Sequence, residues 1–352
     1  MSPPTKTKVW ILANKPTDDA VLSGSNATFK LETQDLPSLD DGQLLLQTVY
    51  LSNDPAQRGW IDVKADPDRL YVPPVPTGDA MRARGMGKVV SSKSKDYKEG
   101  DLVTATMNWR EYAIFDAKEV QRVKTDIPGV KETQFLGALG STGLTAWVGI
   151  NEIAKAKKGE SIVVSGAAGA TGSMVVQIAK KLIGCGKVIG IAGSDEKCQW
   201  VESLGADLCI NYKKDDWKEK LVKATEGFVD VYFDNVGGEQ LDLMLTRLGR
   251  GGRVAACGAI ADYNKGDKSG LKNWFEIIQQ RIQITGFIAF DHFGDGNAQK
   301  WVEELTNAVK DGKIKLSDEN ETIVDTKFED IPKTWVKLFS GHNRGKLLTK
   351  IV

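Results

Sequence analysis

The residues best suited to chemistry form a turn of small side chains that follows an apolar run. The run Ile162–Val164 leads into Ser-Gly-Ala-Ala-Gly-Ala-Thr-Gly, and a helical pattern begins near Thr171. Ala167, Gly169 and Gly172 occupy the three small-residue positions of a G-x-G-x-x-G fingerprint. Such residues let the backbone approach a pyrophosphate, whose charge the free N–H groups of a helix N-terminus attract. The turn predicts dinucleotide binding, although a glycine-rich turn can also serve only to pack a helix against a strand.

The residues about 20 positions beyond this turn indicate which dinucleotide it would hold. NAD-binding units place an Asp or Glu there, at the end of the second strand, to accept the ribose hydroxyls. Here Ala192 and Gly193 are followed by Ser194, and Lys197 comes one helical turn later. Small residues leave room for a 2′-phosphate and the lysine offers it a positive charge, so the pattern favours NADPH over NADH. The alternative is that Ser194 only caps the helix beginning at Asp195, with Lys197 in solvent.

Cysteine and histidine are too few and too scattered to predict a metal centre. A tetrahedral zinc site needs a cluster of thiolates and imidazoles, and the chain contains no C-x-x-C motif. We therefore expect no metal site, and no disulfide framework in a chain of this size. The side chains in question are Cys185, Cys198, Cys209, Cys257, His292 and His342.

Length, composition and charge are typical of a globular protein with two domains. The 352 residues exceed the roughly 250–300 that one core supports, and 47 Lys+Arg balance 47 Asp+Glu. Zero net charge gives no bulk attraction to nucleic acid or to an anionic membrane. The uncharged stretches at 134–151 and 161–179 are broken by Gly and Ser/Thr, and the N-terminus lacks a signal-peptide pattern. We expect a cytoplasmic protein that binds neither nucleic acid nor membrane.

The elements that would position the turn follow two successive patterns. Before residue 134, alternating runs separated by Pro, Asp, Asn and Gly predict a β-rich unit. Its strands are predicted at 9–12, 42–51, 87–91 and 102–107. From residue 134, strands alternate with helices, which is typical of a parallel sheet with helices on both faces. The strands are predicted at 161–164, 187–192, 208–211, 230–234, 253–257 and 282–288, and the helices at 174–183, 195–204, 214–225, 239–248 and 297–310.

The end of the chain returns to the mixed character of its beginning, with a strand-like segment at 345–352. This similarity predicts a discontinuous β-rich domain of residues 1–133 and 313–352. An α/β domain of residues 134–312 would then be inserted into it.

Eight motifs occur in order over about 300 residues and together carry a family resemblance. They are Leu51–Trp60, Leu144–Trp147, Ala167–Gly172, Gly193–Lys197, Asn211–Lys213, Phe233–Gly238, Cys257–Asn264 and Asn343–Lys346. On these motifs the chain resembles the medium-chain dehydrogenase/reductase superfamily. Within it, the chain is most similar to the zinc-free leukotriene hydroxydehydrogenase, prostaglandin reductase and alkenal double-bond reductase group. The resemblance implies a GroES-like catalytic domain, an inserted Rossmann domain, an active site in the cleft between them, and a homodimer.

The resemblance also implies a reaction. Zinc-dependent members of the superfamily carry a cysteine near Leu51 and Gly-His-Glu near Ala83–Gly85, and this chain has neither. Reducing a conjugated C=C bond needs no Lewis acid, because hydride adds to the β-carbon and the enolate needs only a hydrogen-bond donor and later a proton. We expect NADPH-dependent reduction of α,β-unsaturated ketones and aldehydes. Quinone reduction and a non-catalytic NADPH-binding role remain alternatives.

Residue roles carry over from the same motifs. Lys197, Ser194 and Tyr212 match contacts to the 2′-phosphate, although Tyr212 could be a strand-end aromatic. Tyr263 matches the tyrosine near the nicotinamide ribose and the substrate oxygen, where it would donate either a proton or only a hydrogen bond. Asn343 matches a residue near the cofactor carboxamide or ribose, or is simply a turn residue. The remaining expected cofactor contacts are Ala167, Gly169, Ala170, Thr171, Gly172, Gly193, Asn235, Cys257, Gly258, Ile260, Phe287 and Ile288.

The substrate pocket is the least determined part of the site. Asn53, Tyr263 and Phe290 are the expected substrate contacts. Many members of the group have Asp-Pro-Tyr-Met-Arg where this chain has Asp-Pro-Ala-Gln-Arg, ending at Arg58. Losing that aromatic removes a possible pocket wall, so smaller enones fit as well as prostaglandin-like ones. Arg58 and Trp60 could line the cleft or be structural, and the two histidines are expected in loops.

Overall fold

The structure is a computed structural model that describes residues 3–124 and 126–352. The chain forms two compact units, one comprising Met1–Leu136 with Thr322–Val352 and the other Gly137–Glu321. The second unit is therefore inserted into the sequence of the first.

The secondary structure of the described residues changes character between the two units. The strands are β1 Lys6–Leu12, β2 Phe29–Asp35, β3 Gln43–Ser52, β4 Gly85–Ser92, β5 Leu102–Ala105, β6 Tyr112–Asp116, β7 Gln121–Arg122, β8 Ser161–Val164, β9 Lys187–Ala192, β10 Leu208–Asn211, β11 Val229–Asp234, β12 Leu248–Ala256, β13 Gln283–Gly286, β14 Glu321–Thr326 and β15 Lys346–Ile351. The helices are α1 Gln57–Trp60, α2 Ser141–Val148, α3 Ala170–Gln177, α4 Asp195–Ser203, α5 Trp217–Ala224, α6 Gly238–Leu245, α7 Trp274–Gln280, α8 Asn297–Lys310 and α9 Ile331–Val336.

The first unit is β-rich and contains both ends of the described chain. Strands β14-β15-β3-β4-β5-β7 form one sheet, in which β6 also pairs with β3, and β1 pairs with β2. Its core includes packed aromatic rings. Trp109 lies 4.7 Å from Phe29 in a tilted arrangement and 5.9 Å from Trp335 edge-on, measured between ring centroids. Strand β15 runs antiparallel to β3, so the C-terminal segment completes the sheet that the N-terminal segment begins.

The second unit is a parallel sheet in the order β10-β9-β8-β11-β12-β13. Ile162, Val163 and Val164 of β8 are all fully buried, as expected of a central strand covered on both faces. From β8 the chain continues to β9 and β10 on one side, and it returns to β11 on the other. In such sheets ligands bind at this point, beyond the carboxyl ends of the strands. The arrangement confirms the predicted α/β class, with a Rossmann-like sheet and a separate β-rich unit.

Several predicted element limits were wrong. The helix expected at 174–183 begins at Ala170 and passes into a π-helical segment, Ile178–Ile183, that ends at Gly184 with φ of 81°. The helix expected at 239–248 ends at Leu245, because Leu248 already belongs to β12. Strands β2 and β6 were not predicted. Among the described residues, no helix has both the length and the apolar character needed to cross a membrane.

Candidate functional site

The fingerprint turn lies between β8 and α3, where Gly172 is sterically required and Gly169 is tightly packed. A Cβ on Gly172 would lie 2.3 Å from the Gly166 carbonyl oxygen and 2.8 Å from the Ala167 Cα, both backbone atoms. A Cβ on Gly169 would lie 3.2 Å from the same oxygen. The absence of these side chains lets the turn fold tightly in front of the first turn of α3, whose N–H groups have no partner within the helix. This geometry fits the pyrophosphate of a dinucleotide.

The expected contacts in the turn divide into two kinds. Ala167 is fully buried, and its N–H donates to the Ile191 carbonyl oxygen at 2.9 Å, so it fixes the turn and has no surface for a ligand. Gly172 is likewise buried. Gly169, Ala170 and Thr171 are half-buried and remain available to a ligand.

The three residues expected at the 2′-phosphate, Ser194, Lys197 and Tyr212, follow the adjacent ends of β9 and β10, together with the expected cofactor contact Gly193. Ala192 and Asn211 are paired at these ends, so the segments that follow lie side by side. A Cβ on Gly193 would lie 3.2 Å from the Tyr212 ring, which therefore covers this glycine. Ser194 caps α4 and accepts a hydrogen bond from the Lys197 N–H at 3.2 Å. The capping prediction for Ser194 is confirmed, and Tyr212 is a strand-end aromatic that is 40% exposed.

The acidic residue at the start of α4 is held by its own partners. Asp195 accepts a hydrogen bond from Asn211 Nδ2 at 2.8 Å and forms an ion pair with Lys214 Nζ at 2.8 Å. The Asn211 hydrogen bond, followed by the Lys214 interaction, lowers the pKa of this carboxyl. Asp195 therefore stays ionised and is paired with a lysine beside the Ser194 cap.

A buried carboxylate that the sequence analysis did not identify organises the end of β11. Asp234 is 1% exposed, and its Oδ1 accepts hydrogen bonds from Ser165 Oγ at 2.9 Å and Tyr232 Oη at 3.0 Å. The N–H groups of Val236 and Gly237 donate to the same oxygen, each at 3.0 Å. Burial raises the pKa of Asp234, and these hydrogen bonds oppose the rise. An acidic residue closing an apolar strand was the available sequence signal.

Asn235 connects this carboxylate to the fingerprint turn. Its N–H donates to Ser165 Oγ at 2.9 Å and its Nδ2 donates to the Ser165 carbonyl oxygen at 2.7 Å. The Ile260 N–H reaches the Asn235 carbonyl oxygen at 3.4 Å, and the Cys257 N–H donates to the Asp234 carbonyl oxygen at 2.8 Å. Several expected contacts from β8, β11 and β12 therefore converge at one edge of the sheet.

The loop after β12 folds the Tyr263 hydroxyl back over Gly258. A Cβ on Gly258 would lie 3.1 Å from the Tyr263 Oη, which accepts a hydrogen bond from the Ala259 N–H at 3.2 Å. Burial raises the pKa of Tyr263 above its ordinary value, so its hydroxyl stays protonated at neutral pH. Burial also raises the pKa of Cys257, to about 12, so its thiol is not a nucleophile at neutral pH.

The aromatic residues after β13 have different environments. Phe287 packs edge-on against Phe233, with 6.3 Å between ring centroids, and is half-buried like Ile288. Phe290 is 49% exposed and lies edge-on to Phe293 at 5.2 Å. Phe290 thus offers an apolar surface, whereas Phe287 mainly supports β11.

Three residues of the first unit have their contacts within that unit. Asn53, expected at the substrate, is 1% exposed, and its Nδ2 donates to Thr349 Oγ1 at 3.0 Å. This side chain holds β15 to β3 and has no surface left for a substrate, which corrects the expectation. Asn343 is half-buried, and its Nδ2 donates to the Gly345 carbonyl oxygen at 2.9 Å. Arg58 is 1% exposed and is bonded to Asp62 Oδ2 at 2.8 Å and to the carbonyl oxygen of Asp18, so the structural alternative applies to it.

Potential metal ligands are dispersed. Within residues 3–124 and 126–352, no group of three or more His, Cys, Asp or Glu side chains is arranged to hold a metal ion. His342 shares a hydrogen bond with Ser340 Oγ at 2.6 Å, and His292 ends a short 3-10 turn instead of lying in an open loop.

Family models match both units. Residues 8–123 match a model described as the N-terminal domain of oxidoreductase, and residues 170–309 match one described as zinc-binding dehydrogenase. The second model covers only residues of the parallel-sheet unit.

Curated relatives match over nearly the full chain. Prostaglandin reductase 1 of Bos taurus is 36% identical, covering 93% of this chain and 94% of its own. NADPH-dependent curcumin reductase of Escherichia coli is 33% identical, covering 98% and 97%. A Saccharomyces cerevisiae protein named as an uncharacterized membrane protein is 38% identical, covering 98% of each chain.

A solved structure agrees with these relatives. CurA of Vibrio vulnificus in complex with NADPH superposes with a TM-score of 0.85 at 34% identity, covering 98% of this chain and 99% of that one. The chain therefore belongs to the medium-chain dehydrogenase/reductase superfamily and, within it, to the zinc-independent reductase family that includes the prostaglandin and curcumin reductases.

Proposed function

We propose that this chain is an NADPH-dependent reductase of the C=C bond in α,β-unsaturated ketones and aldehydes. The observation that carries the proposal is the set of groups at the carboxyl edge of the parallel sheet. It combines a tight glycine turn before α3 with Ser194, Lys197 and Tyr212 beyond the ends of β9 and β10, where we propose that the 2′-phosphate binds. The protonated Tyr263 is the proposed donor. Relatives named prostaglandin reductase and curcumin reductase support this reaction class.

NADPH is the proposed cofactor, held by groups of this chain in a defined order. The half-buried Gly169, Ala170 and Thr171 receive the pyrophosphate at the N-terminus of α3. Lys197 and Ser194 bind the extra phosphate by charge and by hydrogen bonding. The NADPH named in the complex of the similar Vibrio vulnificus structure supports this choice. Asn235, Gly258, Ile260 and Asn343 remain proposed contacts to the nicotinamide half.

The proposed mechanism uses the chain's residues to polarise the substrate. When bound, NADPH would supply the hydride for the β-carbon. The Tyr263 hydroxyl donates a hydrogen bond to the carbonyl oxygen, where negative charge develops as the C=C electrons move toward it. Since burial raises the pKa of Tyr263, this donor stays protonated while the enolate forms. A proton then reaches the α-carbon from water, directly or through the hydroxyl, which completes saturation.

Purified full-length protein tests this function through the loss of NADPH absorbance with a panel of enals and enones. We expect turnover with conjugated substrates, none with their saturated analogues, and products saturated at the β-carbon. A protein that binds NADPH yet consumes none with the whole panel would be a binding protein instead of a reductase. Turnover with quinones alone would favour the quinone reductase alternative.

Homodimerisation is proposed for the second unit. Every residue of β13, at the edge of the sheet, is exposed, and Ile284 of this strand is 38% exposed. On the preceding α7, Trp274, Phe275 and Ile278 are each about 60% exposed. Large apolar side chains beside an open strand edge usually mark an interface.

A further inference from the structure

The loop that carries Tyr263 also contains a buried carboxylate, Asp262, which bonds to a residue later in the same loop. Asp262, the residue before Tyr263, is 8% exposed. Its Oδ1 accepts a hydrogen bond from Ser269 Oγ at 2.7 Å, and its Oδ2 accepts one from the Ser269 N–H at 3.2 Å. Lys265 Nζ lies 3.3 Å from Oδ1, and Lys268 Nζ donates to the Asp262 carbonyl oxygen at 2.7 Å. The two ends of the loop are thus joined through one side chain.

The closed loop rests on the glycines that follow β11. A Cβ on Gly237 would lie 3.3 Å from the Ala259 Cβ. A Cβ on Gly238 would lie 3.5 Å from both the Ala261 Cβ and the Ser269 Oγ. Because these two glycines have no side chains, both ends of the loop pack directly against the backbone that follows β11. The Asp262–Ser269 contact therefore forms next to the start of α6.

The same loop segment holds the Tyr263 hydroxyl. The Asp262 N–H donates to the Ala259 carbonyl oxygen at 2.9 Å, while the Ala259 N–H donates to the Tyr263 Oη at 3.2 Å. The Asp262 backbone and the Tyr263 hydroxyl therefore both bond to Ala259, one to its carbonyl oxygen and the other to its N–H. Loosening Asp262 would release the turn that sets the direction of the tyrosine.

The charge of Asp262 suits this role. Burial disfavours its ionised form, but the Ser269 hydrogen bonds and the Lys265 ion pair outweigh burial and lower its pKa. At neutral pH the group is a carboxylate, which accepts charge-assisted hydrogen bonds that are stronger than neutral ones. A single anion can therefore hold a loop that has little hydrophobic core of its own.

We propose that Asp262, with Ser269 as its partner, is a positioning residue that holds the Tyr263 hydroxyl over Gly258 for its contact with the substrate. This inference rests on the proposed reductase function, because it assigns Asp262 a role that acts through Tyr263. Asp262 itself touches neither substrate nor cofactor in the proposal.

Steady-state kinetics of the full-length protein test the inference with Asp262→Ala and Ser269→Ala. We expect kcat for an enone to fall roughly 10- to 100-fold in Asp262→Ala and less in Ser269→Ala, with little change in the KM for NADPH, because misplacing a reacting group affects mainly turnover. Asp262→Asn should recover part of the loss, since its amide oxygen still accepts from Ser269. The matched control is Asp267→Ala, an exposed acid of the same loop, which should leave kcat unchanged.

A double-mutant cycle separates positioning from general damage. In a Tyr263→Phe background, Asp262→Ala should cost little further kcat, because both changes remove the same interaction. The inference would be overturned if the fold-losses in kcat of the two single variants multiplied in the double variant. An unchanged kcat in Asp262→Ala would overturn it as well.

Hydrogen exchange provides a readout independent of turnover. The Ala259 amide, bonded to Tyr263 in the wild type, should exchange faster in Asp262→Ala and as in the wild type in Asp267→Ala. Unchanged exchange at Ala259 would refute the positioning role even in an active enzyme. A wild type inactive toward every enone would instead refute the proposed function, and the exchange result would still decide whether Asp262 holds the hydroxyl.

Discussion

The Ser194 side chain can take part in more than one hydrogen bond. Ser194 Oγ accepts the Lys197 N–H and so caps α4. A hydroxyl also has a proton to donate, so the cap leaves Ser194 able to bind a phosphate oxygen. The capping and phosphate-binding interpretations of this residue are therefore compatible. In the proposed function, Lys197 would supply the charge that distinguishes NADPH from NADH.

Replacing Lys197 with Ala should weaken NADPH binding more than NADH binding. The difference should be about 1–3 kcal/mol, because only NADPH carries the phosphate that the ammonium group would bind. Titration calorimetry with both cofactors measures it, and Lys223→Ala, an exposed lysine of α5, is the control. Equal losses for the two cofactors would contradict the assignment.

The pH dependence of turnover should reflect the Tyr263 hydroxyl. Burial raises the pKa of Tyr263 above the ordinary 10.0, so the donor form persists to higher pH than for an exposed tyrosine. We expect the Tyr263-dependent part of kcat to stay constant from neutral pH up to the ordinary tyrosine pKa of 10.0. Comparing wild-type and Tyr263→Phe profiles checks this, and a titration below the ordinary value in the wild type alone would argue against it.

The spatial grouping of candidate site residues was predictable where a local motif defines it. The motif predicted the group formed by Gly193, Ser194, Lys197 and Tyr212, whose members lie near each other in the structure. It did not predict the buried Asp234, because an acidic residue at a strand end says nothing about which donors surround it.

At the level of secondary structure, strand β8, the turn and α3 form one tightly packed strand-turn-helix segment. Ile162, Val163 and Val164 of the strand are fully buried, the turn is closed by glycines, and the helix begins directly at Ala170. The position of the helix N-terminus is consequently set by the sheet.

Gly172→Ala should disrupt the packing of the turn between β8 and α3. Its Cβ would meet backbone atoms at 2.3 and 2.8 Å, which cannot move aside as a flexible side chain can. We expect a loss of about 1–3 kcal/mol in stability, as for an overpacked core, together with weaker NADPH binding. Thermal unfolding measures it against Gly294→Ala, where a Cβ would meet nothing within 4 Å. Equal melting temperatures for the two variants would refute the steric argument.

Some elements follow from the sequence more readily than others. Strands β8, β9 and β10 have the predicted limits, because short apolar runs between helices allow few other structures. Strand β2, with the sequence Phe-Lys-Leu-Glu-Thr-Gln-Asp, is largely polar and gains its structure from pairing with β1. Strand β6 likewise depends on pairing with β3.

For the whole molecule, the open edge of the parallel sheet predicts assembly. Ile284→Asp should shift the proposed dimer toward monomer, because it replaces the one large apolar side chain of β13 with a charge that would be desolvated on pairing. Sedimentation analysis measures this. Ile323→Asp, at a 40% exposed position of the edge strand β14, is the control and should leave the mass unchanged. A wild type that is monomeric at all concentrations would exclude the proposed dimer.

The sequence by itself determined the family, the α/β class and the glycine turn, because these depend on residues close together in the chain and on periodicity. The tertiary structure decided which side chains are free to act. The Asn53 side chain is hydrogen-bonded to Thr349, a residue 296 positions away. Asp234 accepts hydrogen bonds from Ser165, just after β8, as well as from its own strand and loop. Burial and hydrogen bonding depend on such distant neighbours, which local sequence patterns do not encode.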